Sequence, residues 1–144
     1  MNASRIMLGG LLAGLVLNVG EAALHGGVLA GPTSTAMAAL GRNDASSAAG
    51  LTALIGITFI QGVLGVWLYA MLSQQGLARV PAAMSAGLTV WVLSAVYAGI
   101  YLGAGFPNLL PAMLVWLPVI WDLVEFPLAI FLGALVYRES RSAA

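Results

Sequence analysis

The chain contains no cysteine and no lysine, and little charge of either sign. Without cysteine there is no disulfide, no thiolate metal site and no thiol nucleophile, and the redox compartment stays open. The five cationic side chains are all arginine and are matched by five acids. Zero formal net charge gives no basic surface for nucleic acid. A lone histidine, His25, excludes bis-histidine haem ligation within one chain. Strings that pair a nucleophile with a base, cradle a phosphate or form a zinc hydrolase site are missing as well. Neither a catalytic centre nor a cofactor is therefore expected. Charged residues make up 7% of the chain, against about 25% in soluble domains.

What is present is apolar. Hydrophobic residues are 61% of 144, and mean hydropathy is +1.00. Four runs, 6–30, 51–72, 82–102 and 110–137, each reach the roughly 20 residues needed to cross a bilayer. The expected fold is all-α, a single transmembrane four-helix bundle over 1–144 with up-down-up-down topology. The first run is longer than the roughly 7–15 apolar residues of a signal peptide and carries Asn18, Glu21 and His25. It is expected to stay as a membrane helix. The connection 31–50 is rich in Pro, Ser, Thr, Gly and Ala, with a short surface helix expected over 35–40. The connection 103–109 is an uncharged tight turn.

Arginine placement sets the expected orientation. With four crossings, Arg5, Arg79, Arg138 and Arg141 fall on one side and Arg42 on the other. The positive-inside rule then puts both termini in the cytoplasm of a multi-pass inner-membrane protein. Trp67, Tyr69 and Tyr137 are expected near the inner interface, and Tyr101 and Phe106 near the outer one.

Acids stand where the membrane should be driest. Asp122 and Glu125 are three residues apart, on one helical face, with no arginine between Arg79 and Arg138. An ionised carboxylate at such a depth costs about 2.5 kcal/mol or more. The first run carries its own stripe, Gly10, Gly14, Asn18, Glu21 and His25, at helical spacing. The last run reads Asp122, Glu125, Ala129, Gly133. Counted inward from Arg5 and Arg138, Gly10 matches Gly133, Gly14 matches Ala129, Asn18 matches Glu125 and Glu21 matches Asp122. The last pair lies about 24 Å beyond the arginines at a 1.5 Å rise per residue. This mirror order predicts an antiparallel pair with small residues in contact on the inner half and polar residues facing on the outer half.

Two facing carboxyls in a dry site cannot both stay ionised, so a shared proton or a bound cation is expected there. His25, one turn above Glu21, is placed to relay protons or supply the positive charge. Asn18, Gln61 and Ser94 are expected as interhelical hydrogen bonds of about 0.6 kcal/mol each. Ser94, Tyr97 and Tyr101 form one stripe, with Tyr97 at the depth of Glu21, and Thr58 adds a hydroxyl. Prolines 118 and 127 fall inside the last helix and free the carbonyls of Leu114 and Leu123. Glu21, His25, Asp122 and Glu125 offer O and N donors, but the spacing Glu-x-x-x-His departs from the Glu-x-x-His of di-iron bundles and leaves any metal unassigned.

The opening Arg5-Ile-Met-Leu-Gly-Gly-Leu-Leu-Ala-Gly-Leu-Val-Leu-Asn-Val-Gly-Glu21 and the closing Asp122-Leu-Val-Glu125-Phe-Pro-Leu-Ala and Gly133-Ala-Leu-Val-Tyr-Arg138 resemble the end helices of small bacterial four-helix integral membrane proteins of unknown function. The resemblance implies a bacterial inner-membrane location and no activity. Two functions are then open. One is a protein that binds or conducts protons or cations through Glu21, Asp122, Glu125 and His25. The other is a non-catalytic subunit or assembly factor whose acids contact a partner helix. Besides the bilayer, the expected partners are further copies of the chain or members of a membrane complex.

Overall fold

The computed structural model describes residues 1–42 and 47–137. Five helices account for most of them: α1 (Ala3–Val28), α2 (Ala30–Ala39), α3 (Ala48–Gln74), α4 (Arg79–Gly105) and α5 (Ala112–Val136). Four of these, all but α2, are long and apolar enough to cross a membrane. They begin and end within a few residues of the four apolar runs. The short helix of the first connection starts earlier than expected, at Ala30, because Pro32 is compatible with a helix's first turn.

Local chemistry sets the ends. Asn2 caps α1 by accepting from the Arg5 N–H at 3.2 Å, and Ser47 caps α3 by accepting from the Gly50 N–H at 3.1 Å. Gly41 (φ 71°) and Gly76 (φ 90°) end α2 and α3 in the left-handed conformation. After each, the next residue's N–H reaches back five residues, Arg42 to Met37 and Leu77 to Leu72, which is the Schellman closure. The turn between α4 and α5 places Asn108 at φ 66°.

The long helices form a ring in the order α1, α3, α4, α5, each packed on the next, with α5 closing on α1 and also touching α3 across the middle. Contact registers show the antiparallel course. Gly9 meets Gly133 and Gly20 meets Glu125 between α1 and α5, while Gly87 meets Pro127 and Gly103 meets Trp116 between α4 and α5. Arg5 and Arg79, opening α1 and α4, therefore share one end of the bundle, and Arg42 follows α2 at the other. Arg138, Arg141 and Asp44 lie outside the described residues. Inner half denotes the Arg5–Arg79 end of the bundle, and outer half the opposite end.

The core lies in that inner half. Ile6, Ala13 and Leu17 of α1, Val66 and Ala70 of α3, Ala82, Ala83 and Ala86 of α4, and Phe126, Ala129, Ile130 and Ala134 of α5 are buried together. Tyr69 and Tyr137 close this end edge-to-face, ring centres 5.9 Å apart. Small residues let backbones touch. A methyl group on Gly9 would lie 2.6 Å from the Gly133 carbonyl oxygen, and one on Gly62 would lie 2.5 Å from both the Gly10 oxygen and the Gly14 nitrogen. The small-residue register thus differs from the expected one by a residue. Gly9, not Gly10, faces Gly133, and Gly10 and Gly14 pack on Gly62, Val63 and Phe59 of α3. Depth counting fixes height along a helix but not rotation about it. Adjacent glycines at 9 and 10 serve two different neighbours.

The outer half is looser. Every residue of α3 from 48 to 57 is exposed. Both α1 and α4 carry a π turn there, Leu24–Val28 and Val92–Val96. Pro118 lies inside α5 toward its outer end, and Pro127 is buried where its backbone rests on Gly87.

Candidate functional site: a carboxyl trio between the first and last helices

Glu21 stands near the end of the regular part of α1, and Asp122 and Glu125 lie mid-way along α5. One carboxylate oxygen from each lies within 4.8 Å of the other two. Asp122 and Glu125 are 6% and 7% exposed, whereas Glu21 is 29% exposed at its side chain and forms the open edge of the group. The expected meeting of Glu21 with Asp122 is the arrangement found, and Asp122 lies within hydrogen-bonding reach of Glu21.

Three features shape the trio. The first is Gly20, where any Cβ would overlap the Glu125 carboxyl. The second is Trp121, whose indole Nε1–H donates to Glu125 Oε2 from one turn earlier on α5. The third is His25, inside the π turn, whose Nε2 lies 3.1 Å from Glu21 Oε2 at 52% side-chain exposure. Even so, Asp122 Oδ1 and Glu125 Oε1 are buried and accept no hydrogen bond. A buried acceptor left alone costs about 1–3 kcal/mol. Asp122 and Glu125 each thus leave one buried acceptor open within the acid cluster.

Other expected members sit elsewhere. Asn18 does not bond Glu125; its Nδ2–H donates to the Gly14 carbonyl of its own helix at 2.8 Å. Ser94 likewise bonds within α4, to the Val90 carbonyl at 2.6 Å, and Thr58 bonds within α3, to the Ile55 carbonyl at 2.8 Å. In an apolar medium the nearest backbone carbonyl outcompetes a distant partner. Gln61 is half-buried on α3. Tyr97 is 66% exposed and stacks on Tyr101 with ring centres 6.2 Å apart, so it points away from the trio. The π turn at Val92–Val96 is the cause. One residue added to the turn rotates all that follows by about 100°, which breaks a stripe counted through it. The interhelical side-chain bond that α4 does make to α5 runs from Trp91 Nε1–H to the Val119 carbonyl at 2.8 Å.

Gly20 and Trp121 were not among the expected site residues. Trp121-x-x-x-Glu125 has the i, i+4 spacing at which an indole can reach a carboxylate. Gly20 precedes an acid in the membrane, but only the partner helix reveals its use.

The donor set of the trio is all oxygen. Hard donors suit a proton, an alkali or alkaline-earth ion, or an ammonium group. A span of 4.8 Å is about twice a calcium–oxygen distance, so an ion of that size fits between the oxygens. No family model, curated protein or solved structure matches the chain.

Proposed function

We propose that this chain is a bacterial inner-membrane protein with cytoplasmic termini whose acid trio takes up protons or small cations inside the bilayer. The observation that carries this reading is the pair of buried, unpartnered oxygens, Asp122 Oδ1 and Glu125 Oε1, on two acids clustered with Glu21 and with no arginine among them. Structural glue satisfies its hydrogen bonds; this cluster leaves two open. Intramembrane acids facing a bundle interior are functional by default. Glu21 is the entry, because it is the most exposed of the three, and His25 beyond it is the relay toward the outer end. Conduction across the membrane needs more than one chain, since four helices enclose a narrow path.

Carbodiimide labelling of the purified protein is the test. A protonated carboxyl in an apolar pocket reacts with dicyclohexylcarbodiimide, and bound cation protects it. Labelling of Asp122 or Glu125 that slows with added sodium or calcium supports the site. Labelling absent at every pH from 5 to 9, or unchanged by Glu21→Gln and by every cation, removes it.

A second reading, a subunit that grips a partner helix, is favoured by one observation: every residue of α3 from 48 to 57 is exposed. A stoichiometric partner that co-purifies with the wild type and is lost in Asp122→Asn with Glu125→Gln supports that reading instead.

A further inference from the structure

The three acids of the trio are not held alike. Glu125 is fixed from two sides. Its carboxyl fills the space that a side chain at Gly20 would occupy on α1. From its own helix, one turn earlier, the Trp121 Nε1–H donates to Oε2. An indole N–H can only donate. Such a donor binds an ionised carboxylate about twice as strongly as a neutral carboxyl. With Oε2 taken, the oxygen left open is Oε1, buried in the cluster.

Asp122 is held differently. It is 6% exposed, and the group within its hydrogen-bonding reach is Glu21. Ionised carboxylates offer acceptors alone, so a bond between two carboxyl groups needs a proton on one of them. Glu21 in turn lies 3.1 Å from His25 Nε2, and its side chain is 29% exposed. A route for a proton therefore runs from Asp122 through Glu21 to the open edge, and Glu125 stands beside that route. Among the described residues, the other ionisable side chains lie elsewhere. Arg5 of α1, Tyr69 of α3 and Arg79 of α4 are at the inner end. Tyr97 and Tyr101 of α4 stack on each other and are more than half exposed.

We propose, resting on the reading that the trio takes up positive charge, that its acids divide the work. Trp121 is a positioning residue that keeps Glu125 as a standing anion, and the exchangeable proton belongs to Glu21 and Asp122. Uptake of a cation is then governed by competition with that one shared proton. The O–H bond breaks, its electron pair stays on the carboxylate, and the proton leaves by Glu21, at the open edge, to water. The cation takes its place against the freed carboxylate and Glu125 Oε1. Glu125 gives up no proton in this exchange, because the indole N–H has already selected its charged form.

The test is where dicyclohexylcarbodiimide attaches, read by peptide mass spectrometry on the full chain in maltoside micelles at pH 7. The reagent needs a protonated carboxyl. The expected adduct is on Asp122 or Glu21, with Glu125 the slowest of the three to react, and sodium or calcium chloride slows its formation. Trp121→Phe keeps an aromatic ring and removes the N–H. Trp121 is 39% exposed and its bond stays within α5, so the exchange leaves the fold in place. In that variant Glu125 should label about tenfold faster or more, the scale of one lost charge-assisted hydrogen bond. Trp121→Gln returns an N–H at i, i+4 spacing and should bring Glu125 back toward its wild-type rate. An adduct mainly on Glu125 in the wild type, or equal labelling of Glu125 in wild type and Trp121→Phe, overturns the division of work. So does an equal rise in the Phe and Gln variants, which would make Trp121 a packing residue. If sodium or calcium still slows the labelling in those cases, the acid site itself stands. No adduct on any of the three acids from pH 5 to 9 removes the site, and the proposal with it.

Discussion

Gly20 and Glu125 fit together as absence and presence: the space a side chain would occupy on α1 is filled by the carboxyl of α5. Every Cβ position at residue 20 overlaps Glu125 Oε1, Cδ and Oε2. Gly20→Ala must displace the Glu125 carboxyl. A loss of about 1 kcal/mol is expected, at the low end for overpacking, because the atoms met are the end of a flexible side chain. Gly27→Ala is the control, because nothing lies within 4 Å of a Cβ there, and it should stay within about 0.5 kcal/mol of wild type. Thermal unfolding in detergent measures both. Equal melting of the two variants means that no force holds the Glu125 carboxyl in the place beside Gly20.

A second relation, between Gly9 and Gly133, closes the inner half. A methyl on either would sit 2.5–2.6 Å from the other's carbonyl oxygen. Backbone cannot rotate aside as a side chain can, so Gly9→Ala and Gly133→Ala should each cost about 1–3 kcal/mol. Both act on one gap. Once the helices have parted for one methyl, the second finds room, and the double variant should cost less than the sum. Full additivity would show that the two glycines do not share a contact.

The bundle and the height of the acids were legible in the sequence because each follows from counting. Apolar length gives the crossings, and 1.5 Å per residue gives depth. Rotation about the helix axis was not legible. Gly9 and Gly10 are equally small, so composition does not say which meets α5 and which meets α3. The π turns were also hidden, since Leu24–Val28 and Val92–Val96 carry no proline to mark them. The turn in α4 is what sends Tyr97 away from the site. The exposure of residues 48–57 of α3 was hidden for a different reason. A helix facing lipid and a helix facing protein have the same apolar composition when the solvent is hydrocarbon.

Trp91 ties α4 to the outer part of α5. Its N–H reaches the Val119 carbonyl at 2.8 Å, next to Pro118 where α5 lacks a backbone donor. Trp91→Phe keeps the ring's bulk and removes the bond. The expected loss is about 0.6 kcal/mol and at most about 2, the range of interhelical bonds in membranes. It should appear as faster hydrogen exchange in residues 92–105 and 112–118, with the inner half unchanged. Uniform exchange rates in wild type and variant would mean that this bond holds nothing in place.

The trio should cost the fold stability, and that sets it apart from structural glue. Asp122 is buried with an oxygen that accepts nothing, among two other acids. Replacing a buried ionisable cluster by apolar side chains of similar volume is often neutral or stabilising, by about 1–4 kcal/mol. Asp122→Leu should therefore melt at or above the wild-type temperature while losing carbodiimide labelling and cation protection. Asp122→Asn keeps the shape and a hydrogen-bonding group, so it should fold equally well and lose the same binding. Glue predicts the reverse order, with Asn tolerated and Leu strongly destabilised through the loss of a bond between α1 and α5. A Leu variant that unfolds while the Asn variant binds cations normally would make Asp122 a fastener and leave Glu125 and Glu21 without the partner that the proposed uptake of charge requires.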